Sequence, residues 1–301
     1  MTTSSCSSSP LRVGLVLVAC LAAGCTDDGA TGSCLNEDSP DVPGFDDAVV
    51  LRARVTLASR LVFDGGGART GPTNTISASF TDHTTVAGDY RQPSSLPGGT
   101  PACYALTGTP TTTCKPGFTE PCKADPLDVA KVTVDGVLGG SRDLTKTSTG
   151  KYTDDNLADP IYTSGDIKVR VEGQTGKGFF PSFEQTVKAP DPLLLVEPKA
   201  GDPSRLGMKD LKITWKKGNG DFVVIEASLA GATGRTDKIQ CVVLDDGCHT
   251  IYHNDLEFMD MVDGTQVKLL IVRKIGGVKK IDATTAAELD STSIVEMVVN
   301  K

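Results

Sequence analysis

Short runs of alternating apolar and polar residues recur along this chain. Apolar side chains occupy every second position in residues 49–57, with arginine and threonine between them, and the same alternation returns in residues 76–80 and 167–171. Successive side chains of a strand point to opposite faces, so these runs are typical of half-buried β-strands. No long stretch shows the 3.6-residue period of a helix. The pattern therefore predicts an all-β fold.

The C-terminal part carries a second series of such runs. It begins after a proline-rich stretch, Ala-Pro-Asp-Pro at residues 189–192, which is typical of a linker or a sheet edge. We expect a hairpin turn at Asn219-Gly220 and another turn at residues 245–247. The alternating runs lie at residues 211–215, 223–229, 239–243, 267–271 and 294–299. The sequence thus predicts two tandem β-sandwich domains, residues 48–189 and 190–301.

The first predicted domain contains a loop region rich in glycine, proline and threonine. Cys103, Cys114 and Cys122 lie in it, and the region has little apolar content of its own. We expect disulfide bonds to supply part of its order. Phenylalanines near residue 180 are expected to close this domain.

The second predicted domain resembles a fibronectin-III or immunoglobulin-like sandwich. The likeness rests on strand spacing over about 100 residues and on Trp215 lying late in an early strand. The two-domain layout is also similar to that of outer-membrane lipoproteins from myxobacteria-like Gram-negative bacteria. Neither resemblance implies a particular activity.

The N-terminus carries an apolar run of 12 residues, 13–24, preceded by a polar segment with one basic residue, Arg12. A membrane-spanning helix needs about 20 apolar residues, so this run is too short to span. Residues 1–24 are therefore predicted to be a signal peptide.

The residues that end this run, Leu21-Ala22-Ala23-Gly24-Cys25, resemble the lipobox of bacterial lipoproteins. In that family the cysteine carries fatty acyl chains and the peptide is cut just before it. The resemblance implies lipidation at Cys25, although Ala22 stands where leucine is usual. Ordinary secretory cleavage after Gly24 is the alternative.

The number of cysteines favours lipidation. Of nine cysteines, Cys6 and Cys20 leave with the signal peptide. If Cys25 carries lipid, six remain, which allows three disulfides in an oxidising compartment. We expect Cys241 to pair with Cys248 across the turn between them. Three patterns are open for Cys34, Cys103, Cys114 and Cys122, of which Cys114–Cys122 with Cys34–Cys103 is preferred.

Residues 25–47 are polar and are predicted to form a lipidated flexible tether. At about 20 residues, its root-mean-square span would be roughly 25 Å. Thr26 follows the cysteine, whereas in the lipoprotein family aspartate at that place tends to retain the protein at the inner membrane. The resemblance therefore implies the outer membrane, on either its periplasmic face or the cell surface.

The charge of the chain excludes one class of partner. Without Arg12, 29 basic and 38 acidic residues remain, so the mature net charge is 29 − 38 = −9. Binding to a nucleic-acid backbone needs a basic face, so nucleic acid is not an expected partner.

Candidate catalytic and metal-binding residues are few. Of the three histidines, His249 and His253 are four residues apart, but Thr250 stands where a zinc protease needs its glutamate. No Gly-x-Ser-x-Gly motif is present. The turns at residues 154–156 and 245–247 offer carboxylates for calcium, although neither follows the EF-hand pattern. We predict no catalytic residue, metal or cofactor.

The sequence therefore favours a non-enzymatic, lipid-anchored envelope protein that binds a protein partner or has a structural or adhesive role. A module that binds carbohydrate or an envelope polymer is the alternative. For that role Tyr90, Tyr152 and Tyr162, which are expected in loops, would have to face a ligand. A hydrolase using one of the three histidines is a third possibility.

Overall fold

The structure is a computed structural model. Cys25, and with it the predicted signal peptide and lipidation site, lies outside the described residues. No helix in the described part of the chain has the length and apolar character needed to cross a membrane. The described residues are Cys34, 39–42, 44–46, 48–90, 94–108, 111–118, 122–155, 157, 160–162, 165–200, 209–230 and 237–300.

The described residues form β-strands and one short helix, which confirms the predicted all-β class. The elements are β1 (Leu51–Phe63), β2 (Arg69–Asp82), β3 (Val86–Tyr90), β4 (Ser94–Ser95), β5 (Cys103–Leu106), β6 (Thr111–Cys114), β7 (Asp125–Pro126), β8 (Lys131–Asp135), β9 (Arg142–Asp143), β10 (Thr145–Ser148), β11 (Lys151–Asp154), β12 (Asp166–Glu172), β13 (Phe183–Lys188), β14 (Leu195–Glu197), β15 (Leu211–Trp215), β16 (Phe222–Leu229), β17 (Lys238–Val243), β18 (Cys248–Ile251), α1 (His253–Phe258), β19 (Gln266–Lys280) and β20 (Thr285–Asn300).

One large sheet runs through most of the molecule. Its strand order is β10-β11-β2-β1-β20-β19-β16-β17-β5-β4, with β7 beside β2. Strands β1 and β20 pair in parallel, so the first and the last strand in the described part of the chain are neighbours in this sheet. Two smaller sheets, β13-β12-β8-β9 and β14-β15-β18, complete the main layers, and β3 pairs with β6.

Each smaller sheet contributes to its own hydrophobic core with the large sheet. In the first core, Val55 and Phe80 of the large sheet cluster with Val134 and Val169 of the four-stranded sheet. In the second core, apolar residues of β16, β17 and β19 cluster with Ile213 and Trp215 of the three-stranded sheet. Each half of the molecule is therefore a sandwich. Burial of such side chains stabilises the fold by roughly 1.5–3 kcal/mol each.

The two sandwiches share the long strands of the large sheet. In β20, Ala287 and Leu289 belong to the first core, whereas Val295 and Met297 belong to the second. Alternate residues of a strand share a face, and the pairing of β20 with β19 runs without a register shift. Both cores therefore lie on the same face of one continuous sheet, which the sequence analysis does not predict.

Most residues before about 190 pack in the first core and most after it in the second, but segments on both sides cross over, as Ala287 and Leu289 do. Val187 belongs to the first core and Leu193 to the second. However, β5 pairs with β17, and Leu96 and Ala105 pack into the second core. Part of the cysteine-containing loop thus packs with the second sandwich, because its strand completes the edge beside β17.

The hairpin predicted at Asn219-Gly220 is wrong. The strands on either side of it, β15 and β16, lie in different sheets. The connection crosses from one layer to the other beside the buried side chain of Arg273. A Cβ atom at Gly218 would lie 2.5 Å from the Arg273 Cζ, and one at Gly220 would lie 2.7 Å from its Cγ. These glycines therefore allow close packing and do not form a hairpin turn.

Candidate functional site

A cavity of about 500 Å³ lies where the two sandwiches meet. Strands β1, β2 and β20 contribute to it, together with residues 160, 162, 165, 189–192 and 219 of the connections. Its position makes it the main candidate for a binding site, because ligand sites commonly occur at such junctions. The lining residues are Ser59, Leu61, Arg69, Pro160, Tyr162, Gly165, Ala189, Pro190, Asp191, Pro192, Asn219 and Ser293.

The side chain of Asn219 holds one wall of the cavity. Its amide nitrogen donates to the Ala189 carbonyl oxygen at 3.0 Å, and its amide oxygen accepts from the Asp191 backbone N–H at 2.7 Å. Proline has a fixed φ and no N–H to donate, so this wall depends on side-chain partners for its remaining hydrogen bonds. The segment predicted as a linker is thus tied to the second sandwich.

Tyr162 supports the cavity from the side of the long strands. Its hydroxyl lies 2.7 Å from the Leu57 carbonyl oxygen and 2.9 Å from the Thr292 carbonyl oxygen, and it accepts from the Thr292 N–H at 3.0 Å. Burial raises the pKa of Tyr162 well above its ordinary value, so the hydroxyl stays neutral. The tyrosine therefore joins β1 and β20 and fixes the shape of the cavity.

Arg273 supports the proline wall of the cavity. Its guanidinium donates to the carbonyl oxygens of Asp191 at 3.1 Å, Pro192 at 2.9 Å and Lys216 at 2.5 Å. It also pairs with the Asp245 carboxylate, which accepts from the Trp215 indole N–H at 2.8 Å. The fully hydrogen-bonded pair holds the wall in one geometry. Loss of one partner would leave the other charge buried and uncompensated, which costs stability.

An apolar groove of about 360 Å³ continues from the cavity through Leu61, which lines both. Leu194, which lines the groove, is 51% exposed. The groove is lined by Leu61, Phe63, Gly67, Leu193, Leu194, Leu195, Pro198, Lys199, Ala200, Val295 and Met297. We call the cavity and this groove together the junction surface.

The junction surface has the chemistry of a binding site. Arg69 and Asp191 bring opposite charges to the cavity, and the groove is mostly aliphatic. The described lining residues include no histidine and no cysteine. The arrangement suits contact with a partner that carries both apolar and polar groups.

The disulfide pairs differ in part from the expected ones. The structure pairs Cys114 with Cys122, eight residues apart, as preferred from the sequence. Cys241 pairs with Cys103 instead of Cys248, because Cys103 on β5 lies directly opposite Cys241 on β17. Cys248 pairs with Cys34.

The bond between Cys34 and Cys248 changes the length of the predicted tether. It attaches the chain to β18 only nine residues after Cys25, counting from 25 to 34, and the Ser39 hydroxyl also contacts the Val242 carbonyl oxygen at 3.4 Å. The expected pairings Cys241–Cys248 and Cys34–Cys103 are therefore both wrong. Sequence spacing cannot show that strands far apart in the chain become neighbours.

The histidines do not form the helical pair that their spacing allows. His249 lies in β18 and is fully buried, whereas His253 begins α1 and contacts Glu257 at 3.1 Å. Burial lowers the pKa of His249 to about 4, so this imidazole is neutral at physiological pH. Its Nε2 lies 3.2 Å from the Cys103 sulfur. Sequence reasoning missed this neighbour, since 146 residues separate the two.

The turn at residues 245–247 is not free to hold calcium. Both carboxylate oxygens of Asp245 accept from Arg273, at 2.8 Å and 3.0 Å, and they also accept from Trp215 and Gly220. The second acidic turn includes Asn156, which lies outside the described residues. Tyr152, expected in a loop, lies in β11, where its hydroxyl contacts both backbone groups of Val129.

A second group of buried charges lies on β19 and β20. Lys274 contacts Glu288 at 3.1 Å and Asp290 at 2.7 Å. Burial raises the pKa of Asp290 to about 7; Lys274 offsets only part of this effect, and Glu288 adds to it. Burial also opposes ionisation of Glu288, but Arg54 and Lys274 hold its pKa below the ordinary value. One proton is thus held within this carboxylate pair near neutral pH.

Comparison with known proteins gives little direct information. No family model and no curated protein matches the chain. The FN1–FN3 domains of chicken CNTN1 are similar at 12% identity, with 75% of this chain and 78% of that chain covered and a TM-score of 0.21. A 1.5-MDa bacterial ice-binding adhesin is similar at 10% identity, with 83% of this chain and 66% of that chain covered and a TM-score of 0.17. These TM-scores are too low to support an inference about fold or function.

Proposed function

We propose that this protein is a non-enzymatic, lipid-anchored envelope protein that binds a protein partner through the junction surface. The observation that carries this proposal is the apolar groove beside the cavity, with Leu194 half exposed in its lining. Exposed apolar surface beside polar groups is typical of protein interaction sites. The buried support of the wall by Arg273 keeps this surface rigid.

Rigidity is useful in such a role. A surface that is already ordered loses little conformational entropy on binding, so more of the contact energy contributes to affinity. The continuous sheet and the disulfide between Cys103 and Cys241 both limit movement of the second sandwich. A structural or adhesive protein needs this property when it bears load or holds a partner near a membrane.

A protein partner fits better than a polysaccharide. Carbohydrate sites use exposed aromatic rings, and sugars stack on their faces. In the described part of the chain, two aromatic side chains are about half exposed: Phe118, at 47%, and Phe258, at 51%. Neither lines the junction surface, and the aromatic residues that do, Phe63 and Tyr162, are only partly exposed.

The proposed lipid at Cys25 would hold the body close to the outer membrane. Nine peptide bonds connect Cys25 to Cys34, which is bonded to Cys248. Fully extended, nine residues reach about 30 Å. The partner would accordingly be another envelope component within a few tens of ångströms of the same membrane.

Photo-cross-linking in intact cells tests the partner site. A photoreactive amino acid replaces Lys199, which is exposed and lines the groove, and a control replaces Val262, which is 47% exposed and lies outside the junction surface. We expect a defined protein adduct from position 199 and none from position 262. The substitution Leu194→Asp should reduce the adduct at least tenfold, whereas Val262→Asp should not change it. Equal adducts at both positions, or an adduct that is insensitive to Leu194→Asp, would count against the proposal.

A further inference from the structure

His249 reaches from the three-stranded sheet to a pair of sulfurs on the large sheet. Cys103 and Cys241 are directly opposite one another on β5 and β17, and His249 lies on β18. The imidazole Nε2 and the Cys103 sulfur are 3.2 Å apart. All three ligand atoms lie within 4.8 Å of one another. Three elements from both layers of the second sandwich thus bring two sulfurs and one imidazole together.

The burial of His249 calls for an explanation. The residue has no exposed surface, and its Nδ1 has no hydrogen-bond partner among the described residues. Buried polar atoms are nearly always hydrogen-bonded, and exceptions often mark a functional group. The one polar contact of the ring is with sulfur, and a neutral imidazole has a lone pair to offer a metal.

We propose that Cys103, Cys241 and His249 bind one zinc ion when the disulfide between the two cysteines is reduced. Zinc is held at about 2.3 Å from thiolate sulfur and about 2.0 Å from imidazole nitrogen, so tetrahedral ligand atoms are roughly 3.5–3.8 Å apart. The distance of 3.2 Å between the His249 Nε2 and the Cys103 sulfur is already close to this spacing, whereas the two sulfurs, bonded to each other in the disulfide, would move apart after reduction. Three protein ligands leave the fourth position to water.

A dithiol is the only reductant that conversion of the disulfide into the zinc-binding form requires. The dithiol transfers two electrons to the disulfide, so the sulfur–sulfur bond breaks, two thiols form and the dithiol becomes a cyclic disulfide. Zinc then displaces the two thiol protons. Cys103 is partly exposed and Cys241 is fully buried, so Cys103 is the cysteine that an attacking thiolate would reach first.

Charge favours zinc over a monovalent metal at this place. Two thiolates, a neutral imidazole and Zn²⁺ give a net charge of zero. A copper(I) ion with the same ligands would leave one negative charge beside Cys241 and His249, which are both fully buried. Burying an uncompensated charge is costly, so the divalent ion fits the site.

Metal binding to the full purified chain tests the site. Dithiothreitol is added in steps, free thiols are mapped by alkylation and mass spectrometry, and cobalt(II) then serves as a spectroscopic probe that zinc displaces. We expect one metal ion per chain only after Cys103 and Cys241 become thiols, with thiolate-to-cobalt absorption and with zinc protecting both thiols from alkylation. His249→Ala should weaken zinc binding at least tenfold, whereas His253→Ala should not change it.

A cysteine control separates this site from other reduced thiols. The double variant Cys114→Ser/Cys122→Ser removes the third disulfide and should bind zinc like the unaltered chain. Loss of binding in that variant, or equal binding with His249→Ala, would overturn the proposal. If reduction loosens the fold, zinc should raise the melting temperature of the reduced chain because it binds the folded state. A reduced chain that zinc neither binds nor stabilises would also overturn it.

Discussion

Arg273 and Asp245 form a bidentate ion pair in the interior of the molecule. The Nε–Oδ2 distance is 2.8 Å and the Nη2–Oδ1 distance is 3.0 Å, and the two side chains are 0% and 2% exposed. The same guanidinium donates to the backbone of residues 191 and 192, which form the cavity wall. The pair therefore connects the second sandwich to the wall of the proposed binding site.

Removing one member of this pair should destabilise the protein strongly. Arg273→Met leaves the Asp245 carboxylate buried without its counter-charge, which costs about 3–5 kcal/mol. Urea unfolding followed by the fluorescence of Trp215 measures this loss. The exposed pair of Lys280 and Asp46, whose side chains are 58% and 50% exposed, provides the control. Lys280→Ala should change stability by less than about 1 kcal/mol. Similar losses for both variants would show that the buried pair does not have the assigned role.

Stability should fall as the pH rises from about 4 to about 7 because of Asp290. Its pKa is raised to about 7 in the folded state, whereas the unfolded carboxyl titrates near its ordinary value, so the folded state holds the extra proton in this window. The stabilisation is complete below the unfolded pKa and is lost as the pH rises through the folded pKa. Asp290→Asn should remove this dependence, worth roughly 1–4 kcal/mol. Urea unfolding at several pH values measures it.

Asp282 provides a contrast to Asp290. The Thr284 backbone N–H lowers the pKa of Asp282, so its contribution is present above the unfolded pKa and is lost only as the pH falls through the lower folded value. Asp282→Asn should therefore leave the slope between pH 4 and pH 7 unchanged. If Asp290→Asn also leaves that slope unchanged, Asp290 does not hold the proton in the folded protein.

The disulfide from Cys34 to Cys248 should contribute more stability than the one from Cys114 to Cys122. The bond from Cys34 to Cys248 closes a loop with a sequence separation of 214 residues. The bond from Cys114 to Cys122 closes a loop with a separation of only 8 residues. In the chain-entropy model, the longer loop gives the larger effect, up to about 5 kcal/mol against about 2–3 kcal/mol. Double Cys→Ser variants of each pair, compared by thermal unfolding, measure the difference. The reverse order would show that strain or residual structure outweighs chain entropy.

The proposed anchor predicts the location of two single variants. Cys25→Ser should move the protein from the membrane fraction to the soluble fraction, because the acyl chains would be lost. Cys34→Ser keeps the lipid and should remain in the membrane fraction. Fractionation followed by immunoblotting of both variants gives the result. Membrane retention of Cys25→Ser would contradict lipidation at this residue.

Much of the local structure could be predicted from the alternation of side chains. Strand β12 lies at residues 166–172, where the alternating run predicts it, and β15 spans the whole of the run at residues 211–215. Each of these strands buries the apolar side chains of its run. A period of two is a local property of a strand, and burial of one face is enough to preserve it.

The candidate site could not be predicted in the same way. Asn219-Gly220 is a common turn sequence, yet here the side chain of Asn219 holds the cavity wall and Gly220 makes room for Arg273. Likewise, the spacing of Cys241 and Cys248 suggests a local disulfide, but their partners are Cys103 and Cys34. Each of these roles depends on a residue that is distant in the chain.

The sequence by itself determined the all-β class, most strand positions and the set of cysteines available for disulfides. Tertiary structure alone decided that β1 pairs with β20, that two cores share one sheet, and that His249 lies beside two sulfurs. The physical reason is the range of the interactions. Alternation records the burial of one strand face, whereas strand order, buried ion pairs and disulfide partners depend on which distant segments pack together.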